Sequence, residues 1–376
     1  MPVVNTAYSA ANYYTAKSPA AASLLSSGAA SAGAATGDPA ATITLSQAAQ
    51  ALLEEGGPTK DFSTVVAEAR AKLRELLEEA GRRSPLEAGK LALDMSSLDH
   101  RELYAISSNG EGLFTADEQE AAGLEMQRRF EAAMAGPAAV AEVTGSWLGL
   151  YKAAAVYLDG LGPEEKAEDD WKSARAALTE AIEELTADPK TLPEIEDDPV
   201  ALYLELREAG GTVPPRDFGD VAGDARKALD ELYQEAIEGG RAPTFNRNTT
   251  IGAYIDLDAF DSRMLSAIAL NEGSQFSSQE VRAAEAALRS RSGNALNAAF
   301  KNAAKSGDPT AFSQNIISLY AAMTPEERQA AGWSESFYQT AMASYAETNK
   351  LMDMLAGAMD NSASGSMNWF RSVTLV

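Results

Sequence analysis

Apolar residues recur at steps of three and four along most of the chain. From Asp61 onward, Phe62, Val65, Val66, Ala69, Leu73, Leu76, Leu77 and Ala80 form one stripe, the pattern of an amphipathic helix that buries a single face. Further helices are predicted over 99–107, 116–133, 137–158 and 164–186. Thr324-Pro325-Glu326-Glu327 supplies a cap hydroxyl, a proline at the first helical position and a glutamate at the third, which together start a helix. No stretch alternates with period two for long enough to make a sheet. The longest apolar run, near 137–150, is interrupted by Glu142 and Gly145, so no transmembrane segment is expected. The predicted fold is all-α.

The pattern occurs twice. Asp61-Phe62 with Val65, Ala69, Arg70, Leu73, Leu76 and Glu79 returns as Asp217-Phe218 with Val221, Ala225, Arg226, Leu229, Leu232 and Glu235, a constant spacing of 156. Asp99, Arg101, Leu103, Ile106, Asn109, Phe114 and Glu118 return as Asp261, Arg263, Leu265, Ile268, Asn271, Phe276 and Glu280 at a spacing of 162. Pro163-Glu164-Glu165 with Trp171, and Pro325-Glu326-Glu327 with Trp333, keep that second spacing. A fixed period of this kind indicates two copies of one helical unit. Leu52 and Gly56-Gly57 precede Asp61 much as Leu206 and Gly210-Gly211 precede Asp217, so a short glycine-ended helix is expected to open each copy. The expected organisation is a flexible Ala/Ser-rich leader over 1–41, helical repeat domains over 42–187 and 199–357, a Pro- and acid-rich linker over 188–198, and a flexible tail over 358–376.

Composition narrows the chemistry. The chain of 376 residues carries 55 acidic and 31 basic side chains, a net charge of −24, which disfavours nucleic acid because a phosphate backbone must meet a basic surface. It has no cysteine, so disulfides, thiol nucleophiles and thiolate metal sites are excluded. Its one histidine, His100, stands at a polar helix start and is expected to be exposed. Trp171 and Trp333 are expected to be helix-packing anchors.

Between two predicted helices, Ser107 to Glu118 resembles an EF-hand calcium loop. Asn109, Glu111, Gly112, Phe114, Thr115 and Glu118 match its third, fifth, sixth, eighth, ninth and twelfth positions, and Leu113 would offer its carbonyl. The resemblance implies a metal set of Ser107, Asn109, Glu111, Leu113, Thr115 and Glu118, with Glu118 bidentate and Ca2+ as the only cofactor to be weighed. Ser107 stands where such loops carry aspartate, which implies weak affinity. The second loop, Ala269 to Glu280, keeps only Asn271, Phe276, Ser277 and Glu280. Thr115/Glu118 and Ser277/Glu280 also have the spacing of capping boxes. No nucleotide-binding glycine motif or nucleophile elbow is present.

Residues 1–37 hold one charge, Lys17, and the opening Val3-Val4-Asn5-Thr6 with Ser9 and Ala10 resembles flagellin-type export substrates. Val373-Thr374-Leu375-Val376 resembles the short apolar tail of type I secretion substrates. The expected function is therefore a non-enzymatic structural or interaction protein with a protein partner or self-association, exported without a cleaved signal. The alternatives are a calcium-responsive module on loop 107–118 and a helical glycoside hydrolase using an acidic pair, with the cytoplasm as the alternative location.

Overall fold

The computed structural model describes residues 60–371. The expected leader and the helix expected ahead of Asp61 lie outside them. Among the described residues the chain forms α1 (Phe62–Glu79), α2 (His100–Ser108), α3 (Ala116–Thr144), α4 (Leu148–Asp159), α5 (Asp169–Ala187) and α6 (Pro199–Glu208). It continues as α7 (Phe218–Glu238), α8 (Ser262–Ala269), α9 (Ser278–Ser306), α10 (Ala311–Ala322), α11 (Pro325–Ala331) and α12 (Glu335–Arg371). The only strands described are two-residue pairs. β1 (Leu86–Glu87) and β2 (Lys90–Leu91) pair antiparallel, while β3 (Pro243–Thr244) and β4 (Ala253–Tyr254) pair parallel. The protein is all-α.

The stripe read from the sequence is the buried face of α1, where Val65, Val66, Ala69, Leu73 and Leu77 pack inward. They join Leu91, Leu93, Met95, Leu103, Ile106, Phe114 and Met126 in a first apolar cluster. Val221, Ala225, Leu229, Leu265, Ile268, Phe276 and Leu288 form a corresponding cluster between α7, α8 and the start of α9. Long side chains tie a loop to a helix beside each cluster. Arg129 donates to the carbonyls of Met95 and Leu98 at 3.0 and 2.9 Å. Arg291 donates to those of Asp258 and Phe260 at 3.0 and 2.6 Å.

Three elements depart from the sequence pattern. Two helices were expected over 116–133 and 137–158, yet α3 runs unbroken to Thr144 with Pro137 inside it, and the chain turns at Gly145, whose φ is 69°. An interior proline costs an exposed helix about 3 kcal/mol. Here Ala133, Met134, Gly136, Pro137 and Ala138 to Ala141 are all buried, so packing along the length of α3 offsets the lost hydrogen bond. α6 was expected to open the second unit, but its Val200 and Tyr203 complete the cluster of Phe130, Met134, Leu150, Tyr151, Tyr157, Leu178 and Leu185 in the first. Tyr151 donates to the buried Asp198 at 2.6 Å, and Asp198 caps α6 by accepting from the Val200 amide at 2.8 Å. The segment expected as a tail from 358 continues α12 to Arg371, since no proline interrupts the sequence after Glu335.

The two halves share a core. Ala139 and Val140 of α3 pack with Ile316, Ile317 and Tyr320 of α10, and with Trp333 and Ala341. At Gly136 the helices come so close that a Cβ would sit 2.3 Å from Ser318 Oγ and 2.9 Å from the Ser318 carbonyl oxygen. Ion pairs from Arg216 to Asp94 (3.3 Å) and from Lys227 to Glu79 (3.8 Å) join the halves elsewhere.

Candidate functional site

The corner between α2 and α3 is built by its own side chains. Asn109 takes the left-handed conformation, φ 46°, and ends α2. Its Oδ1 accepts from the Phe114 amide at 2.9 Å while its Nδ2 donates to the Phe114 carbonyl at 3.1 Å, so one side chain closes the loop. Gly112 supplies a second left-handed turn, φ 69°. Thr115 then caps α3, and the reciprocal bond brings the Thr115 amide to Glu118 Oε2 at 2.7 Å. The other Glu118 oxygen accepts from Arg70 Nη1 of α1 at 2.7 Å, and the Arg70 guanidinium lies over the Phe114 ring at 5.7 Å.

The second corner repeats this arrangement. Asn271, φ 52°, accepts from the Phe276 amide at 2.9 Å, and Ser277 and Glu280 form the capping box. Arg226 donates to Glu280 at 2.8 Å, and the Tyr233 hydroxyl adds a third bond at 2.7 Å. Burial of the Glu280 carboxyl works to raise its pKa, but the Ser277 donors, Tyr233 and Arg226 outweigh that and hold it below the usual carboxylate range. Burial, followed by the bond to Glu280, pushes the Tyr233 phenol up.

Of the six residues expected around a metal, the structure brings Asn109, Thr115 and Glu118 together as a helix-loop clasp. Ser107 lies within α2, where its hydroxyl donates to the Tyr104 carbonyl at 3.2 Å. Glu111 is exposed, and so is Leu113, at 47%. Glu118 is 4% exposed and has both oxygens occupied, one by a cation of the chain itself. Among the described residues no group of three or more His, Asp or Glu side chains is placed to hold a metal ion. Arg70 and Arg226 were visible in the sequence only as repeat positions. Their partners sit about fifty residues further on, and that contact exists only once α1 crosses the corner.

His100 is the other correction. Expected at the surface, it is 1% exposed, because the turn after Pro163 folds back over the start of α2. Its Nε2 lies 3.5 Å from Oε1 of Glu165, which is equally buried, and its ring meets the edge of Tyr157 at 6.2 Å. The neighbouring Arg101 donates twice to Glu164, at 2.9 and 2.6 Å, which fixes the turn. Both side chains are sealed from solvent where the turn packs on the start of α2. The indole of Trp171 donates to the Leu158 carbonyl at 3.4 Å, and Trp333 is buried against Phe337 at 5.2 Å. Both tryptophans pack helices.

Sequence reasoning missed an apolar surface on the second half. Phe300 of α9 and Phe312 of α10 are 62% and 40% exposed, and their rings meet edge to face at 6.1 Å. Leu351, Met352 and Met354 are exposed on α12. Comparison with protein-family models, with curated proteins and with solved structures finds nothing that matches the chain.

Proposed function

We propose that this protein is a non-enzymatic structural or interaction protein, built by duplication of a helical unit and exported without a cleaved signal. The observation that carries the interaction role is the exposed Phe300 and Phe312 pair on a chain of net charge −24. Large aromatic side chains left in water on so acidic a surface mark a place where another surface docks. The corner chemistry supports the same reading, because Glu118 and Glu280 are engaged in capping helices and pairing arginines, which is framework chemistry. The duplication rests on the two fixed spacings and on the matching clasps at Asn109/Glu118 and Asn271/Glu280.

The export part rests on the amino-terminal sequence, with its single charge before residue 38. Deleting residues 2–37, and separately 361–376, followed by immunoblots of culture medium and cell pellet, tests it. Retention of either truncated form inside the cell supports export. Normal appearance of both in the medium, or an intact protein that never leaves the cell, overturns it.

A further inference from the structure

Between α9 and the segment that carries β3 and β4 lies a cleft of about 900 Å³. Its floor is one face of α9 from Gln279 to Asn294, and the middle of that face holds small side chains, Ala283, Ala286, Ala287 and Ser290. Phe245, Arg247, Tyr254 and Asp258 stand on the opposite wall. The charged residues lining the cleft are three arginines, Arg247, Arg282 and Arg291, against the single Asp258. On a chain with 31 basic and 55 acidic side chains, that local excess is opposite in sign to the whole. A cleft lined by one sign of charge concentrates ions of the other.

The three arginines are placed differently. Arg282 and Arg291 are about two and a half helical turns apart on α9, about 13 Å along the axis, so they flank the small residues from opposite margins. Arg291 is fixed through Nη2, which donates to the carbonyls of Asp258 and Phe260 at 3.0 and 2.6 Å. Arg247 is held near the same aspartate. Its Nε donates to the Tyr254 hydroxyl at 2.7 Å, its guanidinium lies over that ring at 5.3 Å, and its Nη2 reaches Asp258 Oδ1 at 3.5 Å. Neither arginine uses its Nη1 in these bonds. At the other margin Arg282 is exposed and makes no hydrogen bond or ion pair among the described residues.

The first half shows that such a helix does not need an opening beside it. α3 and α9 are both 29 residues long and both start at a capping box, so positions 162 apart fall at the same place along the two helices. Ala286, Ala287 and Ser290 stand where α3 has Leu124, Glu125 and Arg128. There Leu124 packs on the first apolar cluster, and Arg128 pairs with the buried Glu125 at 2.7 Å. Arg282 stands where α3 has Glu120, so the charge at that margin is reversed. A net charge of −24 repels an acidic macromolecule as a whole, whereas a small anion senses mainly the charges within a screening length of about 8 Å. Guanidinium forks match carboxylate and phosphate groups alike. We infer that this cleft binds a small organic anion with an acid group at each end, one held by Arg282 and the other by Arg247 and Arg291.

The test titrates the full-length protein with suberate, a dicarboxylate, and with fructose 1,6-bisphosphate, using octanoate and fructose 6-phosphate as their single-acid controls. Ligands of about 12 to 20 non-hydrogen atoms correspond to dissociation constants of about 0.05–2 mM, within reach of calorimetry. At least one probe should bind about tenfold or more tighter than its control. Binding of suberate alone assigns the site to carboxylates, and of the bisphosphate alone to phosphates. Arg282→Ala should reduce the affinity to that of the control with the thermal midpoint unchanged, because Arg282 bonds to nothing in the fold. Ala286→Glu puts a negative charge on the exposed middle of the floor and should abolish binding. Arg289→Ala, which removes an exposed arginine of α9 outside the cleft, should leave binding as it is. The inference is overturned if neither probe binds at about 10 mM, or if one-acid and two-acid ligands bind alike. It is equally overturned if Arg282→Ala and Ala286→Glu bind as the wild type does, or if Arg289→Ala weakens binding as much as Arg282→Ala.

Discussion

Two glycine-to-alanine substitutions measure the contact between the halves, because they share every effect except one. Gly136 and Gly223 both lie inside helices, α3 and α7, where alanine is favoured over glycine by about 1 kcal/mol. A Cβ at Gly223 meets nothing within 4 Å, so Gly223→Ala should stabilise by about that amount. At Gly136 the new carbon would lie 2.3 Å from Ser318 Oγ and 2.9 Å from the Ser318 carbonyl oxygen. The hydroxyl can rotate away, but the carbonyl belongs to the backbone of α10, so the two helices must separate by about half an ångström to reach ordinary contact. Overpacking of this kind costs about 1–3 kcal/mol. Gly136→Ala should then range from nearly neutral to about 2 kcal/mol destabilising. The gap between the two substitutions, about 1–3 kcal/mol, is the steric term alone. Urea unfolding followed by far-UV circular dichroism reads both. Adding Ser318→Ala should recover only part of the loss, since the carbonyl remains. Equal effects of Gly136→Ala and Gly223→Ala would refute the close approach of α3 and α10.

Two further expectations concern buried charge. Burial pushes the Glu125 carboxyl up, yet Arg128 at 2.7 Å and Arg129 at 2.8 Å overcome this and hold its pKa down at about 2. A carboxylate depressed below its unfolded value of about 4.3 stabilises the fold above that pH and loses the contribution as pH falls toward 2, on the order of 3 kcal/mol in all. Glu125→Gln should therefore be less stable at pH 7 and flatter between pH 5 and 2.5, and a difference curve that rises on acidification would contradict this. Arg70→Ala should cost more than Glu118→Gln, about 2–4 against about 1 kcal/mol, because it leaves a buried carboxylate without its cation whereas the reverse leaves a half-exposed arginine that water can reach. Arg226→Ala should cost less than Arg70→Ala, since Tyr233 still serves Glu280. Wild-type protein titrated with millimolar calcium should give no heat, and heat abolished by Glu118→Gln would restore the calcium reading.

What the sequence disclosed was local. The α1 stripe and the caps at Thr115, Ser277 and Thr324 follow from the spacing of neighbouring residues, and the structure has helices where they fall. Pro137 misled because helix propensity is a local cost, while the packing that offsets it comes partly from α10, some 180 residues away. His100 misled for a similar reason, since its polar neighbours predict water and the turn that seals it lies beyond residue 160. α6 was placed correctly along the chain and on the wrong core, because order in sequence does not specify which cluster an element closes. Phe300 and Phe312 were legible as apolar residues, but their exposure depends on how α9 and α10 pack, which their neighbours in sequence do not specify.

The placement of α6 also sets a schedule for synthesis. A nascent chain that has emerged only to Ala187 holds α3, α4 and α5 but still lacks Tyr203, so the aromatic cluster of Phe130, Tyr151 and Tyr157 remains open. Another sixteen residues must follow, a delay of about 1–3 s at ordinary elongation rates. The first helix of the second half begins soon afterwards, at Phe218. There is accordingly almost no interval in which the first half is finished and the second has not begun, and a protease or chaperone meeting the emerging chain would find its sticky period concentrated just before residue 203.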